Sequence, residues 1–135
     1  MIPGASPYLE NKNMKTYILL LVVLMGTAAA AQNYVAPKPN PRQEKEAVQL
    51  ASKLDDQLAF TEKQLLAVET LNGEFIARRD EIVGNQNISL GEKNELLEAI
   101  YVEQGNEMAD ILVREQMNLY KTIRGDIQPL VVIVE

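Results

Sequence analysis

The sequence predicts an all-α protein: an elongated helical hairpin, one further helix before it, and a short extended apolar segment after it. Three observations lead there. Apolar residues recur at three- and four-residue steps over most of the chain beyond residue 41. Two stretches carry the Ser/Thr-x-x-Glu/Gln spacing that fixes a helix start. The unbroken β-branched run that closes the chain, Leu130-Val131-Val132-Ile133-Val134, has strand character instead.

The chain has 135 residues, enough for one small domain once the ends are trimmed. Near the start, Met14-Lys15 is a short positive opening, Tyr17 to Met25 is apolar, and Gly26 to Ala31 is small-residue and contains Ala-x-Ala. That order is the signature of a cleavable export signal, residues 14–31. The apolar run falls short of the roughly 20 residues a membrane span needs. A periplasmic or secreted domain without a stable membrane span is therefore expected. Residues 1–13 fit no export pattern, so Met14 is expected to be the true start and the preceding stretch a non-native extension. Residues 32–41 (QNYVAPKPNP) should form a flexible Pro-rich leader.

The helical domain is expected over residues 42–125. In the first helix, 42–58, Ala47, Leu50, Ala51, Leu54 and Leu58 share one face. Thr61 and Gln64 then form a capping box. Phe60 just before it and Leu65 at the fourth helical position form a hydrophobic staple. The second helix, 62–83, gathers Leu65, Val68, Leu71, Phe75, Ile76, Ile82 and Val83 on one arc. Asn72 and Arg79 fall inside that arc, and Gly84 is placed for a left-handed cap. Ser89 and Glu92 open the third helix, along which Leu97, Ile100, Tyr101, Met108, Ile111, Leu112, Leu119 and Ile123 recur. Unbroken to Arg124, with Gly125 as its stop, that helix would be about 50 Å long. The molecule is then either elongated or bent near Leu112. The short loop between the second and third helices predicts an antiparallel pair. Residues 126–135 form the extended tail, expected to dock on the parent domain or on a dimer mate.

Composition narrows function. The chain has no Cys and no His, which removes disulfides, zinc–thiolate sites and the usual general base. Its net charge of −6 disfavours nucleic acid, whose phosphates need a basic patch. Glu92, Glu95, Glu98 and the Asp80-Glu81 pair read as solvated helix faces. No nucleophile–base pair or phosphate loop is visible, so no catalytic residue, metal or cofactor is assigned and the protein is not expected to be an enzyme.

Phe60-Thr61-Glu62-Lys63-Gln64 is echoed 52 residues later by Leu112-Val113-Arg114-Glu115-Gln116. Together the two stretches resemble the twin LTxxQ motifs of the Spy/CpxP family of small periplasmic helical stress proteins. Phe60 stands where the first motif has Leu, and Val113 where the second has Thr. The resemblance covers roughly residues 58–124. It implies a curved homodimer that binds unfolding clients without ATP, or an adaptor that restrains an envelope-stress regulator.

Phe60, Thr61, Gln64, Leu65, Leu112 and Gln116 are thus the motif and capping residues. Phe75, Ile76 and Arg79 are the candidate protein-binding surface. Arg79 is otherwise expected to pair with Glu95 or Glu98 across the turn. Met108, Met117 and Tyr120 read as core. The competing reading is a structural or assembly subunit of the envelope, in which the apolar face and the tail hold one fixed partner.

Overall fold

A computed structural model describes residues 37–135, and all that follows concerns them. The expected extension, the export segment and the first part of the leader lie outside the described residues. Four helices follow one another: α1 Pro41–Leu58, α2 Glu62–Gly84, α3 Leu90–Ile111 and α4 Arg114–Ile127. The all-helical expectation holds for the described residues, which contain no strand. No helix among them is long and apolar enough to cross a membrane.

Each helix start is set by local chemistry. Asn40 accepts from the Gln43 N–H at 2.9 Å, and Gln43 Oε1 accepts from the Asn40 N–H at 2.9 Å. This closes a capping box with Pro41 in the first turn, where its missing N–H costs nothing. Thr61 with Gln64 and Ser89 with Glu92 close the two boxes the sequence predicts. Phe60 and Leu65 both pack against the core, as a staple requires.

The helix ends depart from expectation in three places. Gly84 is the last residue of α2, and no glycine takes a positive φ, so the left-handed cap expected there is absent. Lys93 does the work instead, its ammonium donating to the Val83 carbonyl at 2.8 Å. The one left-handed residue is Ala59, φ 51°, which ends α1. Helix α4 runs past Gly125 to Ile127. Ile127 is drawn on by packing against the core, and Pro129 then forbids continuation.

The long third helix is broken into α3 and α4 at Leu112 and Val113, resolving the choice between an unbroken rod and a bend. Val113 has an extended backbone, φ −76° and ψ 166°. It carries no side-chain oxygen, so only half a capping box forms there: Gln116 Oε1 accepts from the Val113 N–H at 3.1 Å. Leu112, 7% exposed, is buried at the break.

Helix α1 packs along α2, α2 along α3, and α4 folds back onto α1 with a smaller contact to α3. The core is Ala51, Leu54 and Leu58 from α1, Val68, Leu71 and Phe75 from α2, Leu97, Ile100 and Met108 from α3, and Tyr120 from α4. Met108 and Tyr120 are core as expected, with Met117 partly buried beside them. Gly73 allows Pro39 to lie against α2: a Cβ at Gly73 would meet the Pro39 ring at 3.1 Å.

Candidate functional site

The two echoed motifs meet. Gln64 at the start of α2 and Gln116 at the start of α4 face each other and exchange amide hydrogen bonds. Gln64 Nε2 donates to Gln116 Oε1 at 2.8 Å, and Gln116 Nε2 donates to Gln64 Oε1 at 3.1 Å. Each oxygen also accepts from the backbone N–H three residues earlier, Thr61 at 3.0 Å and Val113 at 3.1 Å. Each remaining amide hydrogen goes crosswise, to the last carbonyl of the helix that precedes its partner glutamine's: Gln64 takes the end of α3 and Gln116 the end of α1. Gln64 reaches Ile111 O and Gln116 reaches Leu58 O, both at 3.1 Å. The arrangement is close to two-fold symmetric. It satisfies both amides and joins the ends of all four helices at one point. A free helix C-terminus leaves carbonyls without partners, and here the two glutamines supply them.

A second polar group lies in the middle of the core. Asn72 on α2 is fully buried. Its Nδ2 donates to Ala47 O on α1 at 3.3 Å. Its Oδ1 accepts from Gln104 on α3 at 3.2 Å and from Gln128 at the end of α4 at 2.9 Å. Tyr120 donates its hydroxyl to Gln128 Oε1 at 3.4 Å. Burial pushes the Tyr120 phenol up to about 12, against a smaller opposing pull from Arg124. The phenol therefore stays a neutral donor at any ordinary pH.

The third group lies where α1 begins and α2 nears its end. Arg79 donates to Glu46 Oε1 at 2.9 Å and to Asp80 Oδ1 at 2.9 Å. Asp80 Oδ2 accepts from Arg42 at 2.6 Å and from Gln43 at 2.9 Å. The sequence-based pairing of Arg79 with Glu95 or Glu98 is thus corrected. Arg79 sits on the edge of α2 that faces α1, on the same side as Asn72, and not on the edge facing α3. Partial burial works against the charge on Arg79, but the hydrogen bonds it donates to Glu46 and Asp80 outweigh it and raise the pKa above its usual value. Burial likewise works against the Asp80 carboxylate, and Gln43, Arg79 and Arg42 together lower its pKa despite that. Arg78 is the α2 cation that pairs with a carboxylate of α3, forked onto Glu103 at 2.9 and 3.2 Å and lying 4.9 Å over the Phe75 ring.

Phe75 and Ile76, placed by the sequence on a binding surface, are 6% and 5% exposed. They are not open to solvent. With Arg79 they line a half-open cavity of about 260 Å³ whose walls come from α1, α2 and α3 and from Leu130 and Val131 of the tail. Ile133 of the tail meets Asn94 on α3. Asn94 Nδ2 donates to Ile133 O at 2.9 Å, and the Ile133 N–H donates to Asn94 Oδ1 at 2.8 Å.

Sequence reasoning missed Arg124. Its guanidinium lies flat on Tyr101, 3.5 Å from the ring centroid, and donates to the Tyr101 carbonyl. Its Nε is buried without a hydrogen-bond partner. Gly105 makes room for it, since a Cβ there would stand 2.8 Å from Nη1. A glycine in mid-helix one turn from a tyrosine was the available signal. No group of three or more acidic side chains that could hold a metal ion occurs among the described residues.

The class of protein these features define is a small, acidic, all-helical domain whose helix ends are tied by polar side chains. Searches against protein families, curated proteins and solved structures match nothing to this chain.

Proposed function

We propose that the protein is an exported, ATP-independent protein-binding factor of Spy/CpxP type, a holdase for unfolding proteins or an adaptor in an envelope-stress response. The observation that carries this reading is the Gln64–Gln116 pair. The paired motifs that suggest the family are 52 residues apart, and their glutamines touch. That contact gives the repeat a common structural reason. Chance recurrence of a loose pattern carries no such reason.

Binding by this route is physical, not chemical. Apolar side chains rimmed by charges take up exposed hydrophobic segments and release them without nucleotide. Among the described residues, Val48, Leu66, Val102 and Leu119 are large apolar side chains left exposed on helices, Val113 is another at the break between α3 and α4, and Phe75, Ile76 and Arg79 line the cavity beside the tail. Dimerisation, with the two motif ends curving the molecule, is the natural way to gather these surfaces. The test is thermal aggregation of a model client followed by light scattering. Suppression is expected as the protein approaches several-fold molar excess. Undiminished scattering at that ratio would overturn the holdase reading.

A second reading is favoured by the tail. Val132 and Val134 are 57% and 81% exposed on an extended segment, which suits a subunit held in one fixed envelope complex. Deleting residues 129–135 separates the two. Loss of a specific complex with unchanged aggregation suppression selects the subunit.

A further inference from the structure

The tail has the properties of a bound peptide more than those of a structural element. From Pro129 to the end it belongs to no helix or strand. No backbone–backbone hydrogen bond ties residues 129–135 to the domain, among the described residues. Its attachment is of two kinds. Leu130 and Val131 share the walls of the cavity with Phe75, Ile76, Leu97 and Ile100. Beyond them Ile133 packs on the core, and its N–H and carbonyl are both taken by the one side-chain amide of Asn94. An asparagine amide offering donor and acceptor to one residue copies what a neighbouring strand would offer. Side chains alternate as in a strand, with Ile133 inward and Val132 and Val134 outward.

We infer that residues 129–135 form a displaceable strap, occupying in cis a groove that binds an extended apolar segment of another polypeptide. The chemistry of the outside occupant is read from the inside one. It is uncharged over five or six residues, β-branched, extended, and has one residue whose backbone pairs with Asn94. The groove favours such a segment because its floor is apolar and its single directional contact is to backbone, which leaves the sequence of the ligand free. Phe75 and Ile76 then become accessible only while the strap is away. This explains how residues proposed for binding can be buried in the resting molecule. The inference rests on the protein-binding reading above only for the class of ligand.

The test uses a fluorescein-labelled peptide with the sequence of residues 128–135, titrated against the whole chain and followed by anisotropy. Ile133→Asp in the chain's own strap disfavours its seat on the core and leaves Asn94 free to clamp the peptide, so the peptide should bind about tenfold more tightly than to the unchanged chain. A chain lacking residues 129–135 should bind more tightly still. A peptide with Asp at the positions of Val131 and Ile133 should bind none of them. Equal affinity for the unchanged chain and Ile133→Asp overturns the strap. So does failure of the shortened chain to bind while its helical circular dichroism is intact.

A disulfide lock covers the case in which the shortened chain does not fold. With Asn94→Cys and Ile133→Cys in this cysteine-free chain, binding should vanish on oxidation and return on reduction. Binding that is indifferent to the lock overturns the inference. Peptide binding gated by the clamp, together with absent aggregation suppression, would keep the strap and discard the holdase reading. The reverse result would do the opposite.

Discussion

Replacing Gln116 by Ala removes four hydrogen bonds at once. Its oxygen loses the Val113 and Gln64 donors, and its nitrogen loses the Leu58 and Gln64 acceptors. Val113 is 56% exposed, so its N–H regains water and little is lost there. The other three bonds are partly buried and bring a net ~1 kcal/mol each, giving a destabilisation of about 3 kcal/mol. Gln64→Ala removes the matching four bonds, with Thr61 N–H and Ile111 O in the places of Val113 N–H and Leu58 O, and should cost about the same. The decisive quantity is the coupling between the two. Each single change already breaks both reciprocal bonds, so the double variant should be about 1–2 kcal/mol more stable than the sum of the single losses implies. Urea denaturation followed by circular dichroism measures all four corners of the cycle. Unchanged m-values would confirm that the folded and unfolded states are comparable. Strict additivity, with coupling below about 0.3 kcal/mol, would refute the account of the two motifs as one shared joint.

Three further outcomes are expected. Ala59 sits at φ 51°, where a Cβ costs roughly 1 kcal/mol, so Ala59→Gly should stabilise the fold by an amount of that order, read as a rise in the urea midpoint at unchanged m-value. Asn72→Leu leaves the Gln104 and Gln128 amides buried without their shared acceptor. It should destabilise by about 2–4 kcal/mol in the same assay, despite adding apolar volume. Asp80 has a folded pKa below its unfolded one, so its stabilisation is complete above the unfolded value and is lost as pH falls through the folded value. The melting temperature should therefore fall on acidification below about pH 4, and fall less steeply in Asp80→Asn.

Much of the helical frame was legible because it rests on chemistry confined to a few neighbouring residues. Thr61 with Gln64 and Ser89 with Glu92 need only their own four-residue windows, and both boxes form. Asn40 with Gln43 obeys the same rule. It was hidden because Pro41 closes a Pro-rich leader, although proline in a first turn is itself a start signal. Ala59 gave no warning, since alanine favours helix. Its left-handed backbone comes from the demand that α1 end and α2 begin within three residues. Asp55 secures that turn by accepting from the Phe60 N–H at 2.7 Å. Contacts between helices were legible only where a pattern hinted at them. The motif echo pointed to Gln64 and Gln116, whereas nothing distinguished Gln104 and Gln128 from ordinary surface glutamines. The partner of Arg79 depended on which side of α2 faces α1, a property of the assembled bundle and not of any one helix.

That dependence runs through the whole α1–α2 contact. Along α2 the polar side chains Gln64, Asn72 and Arg79 recur at intervals of about two turns. Each meets α1 at a progressively earlier position. The Gln64–Gln116 pair reaches Leu58, Asn72 reaches Ala47, and Arg79 reaches Glu46, with its neighbour Asp80 reaching Gln43 and Arg42. Between these rungs the α1 face is Ala47, Ala51, Leu54 and Leu58, a stripe whose two small residues would accept a slide of one turn with modest loss of packing. The two outer polar rungs would not accept it. A shift of about 5 Å would part Gln116 from the last carbonyl of α1, and Arg79 and Asp80 from Glu46, Gln43 and Arg42, although Asn72 would meet the carbonyl of the next turn. Apolar burial therefore brings α1 and α2 together, while the two outer polar rungs choose one register. The Gln64–Gln116 rung extends that choice to α4, and so to the strap that α4 carries beside the cavity.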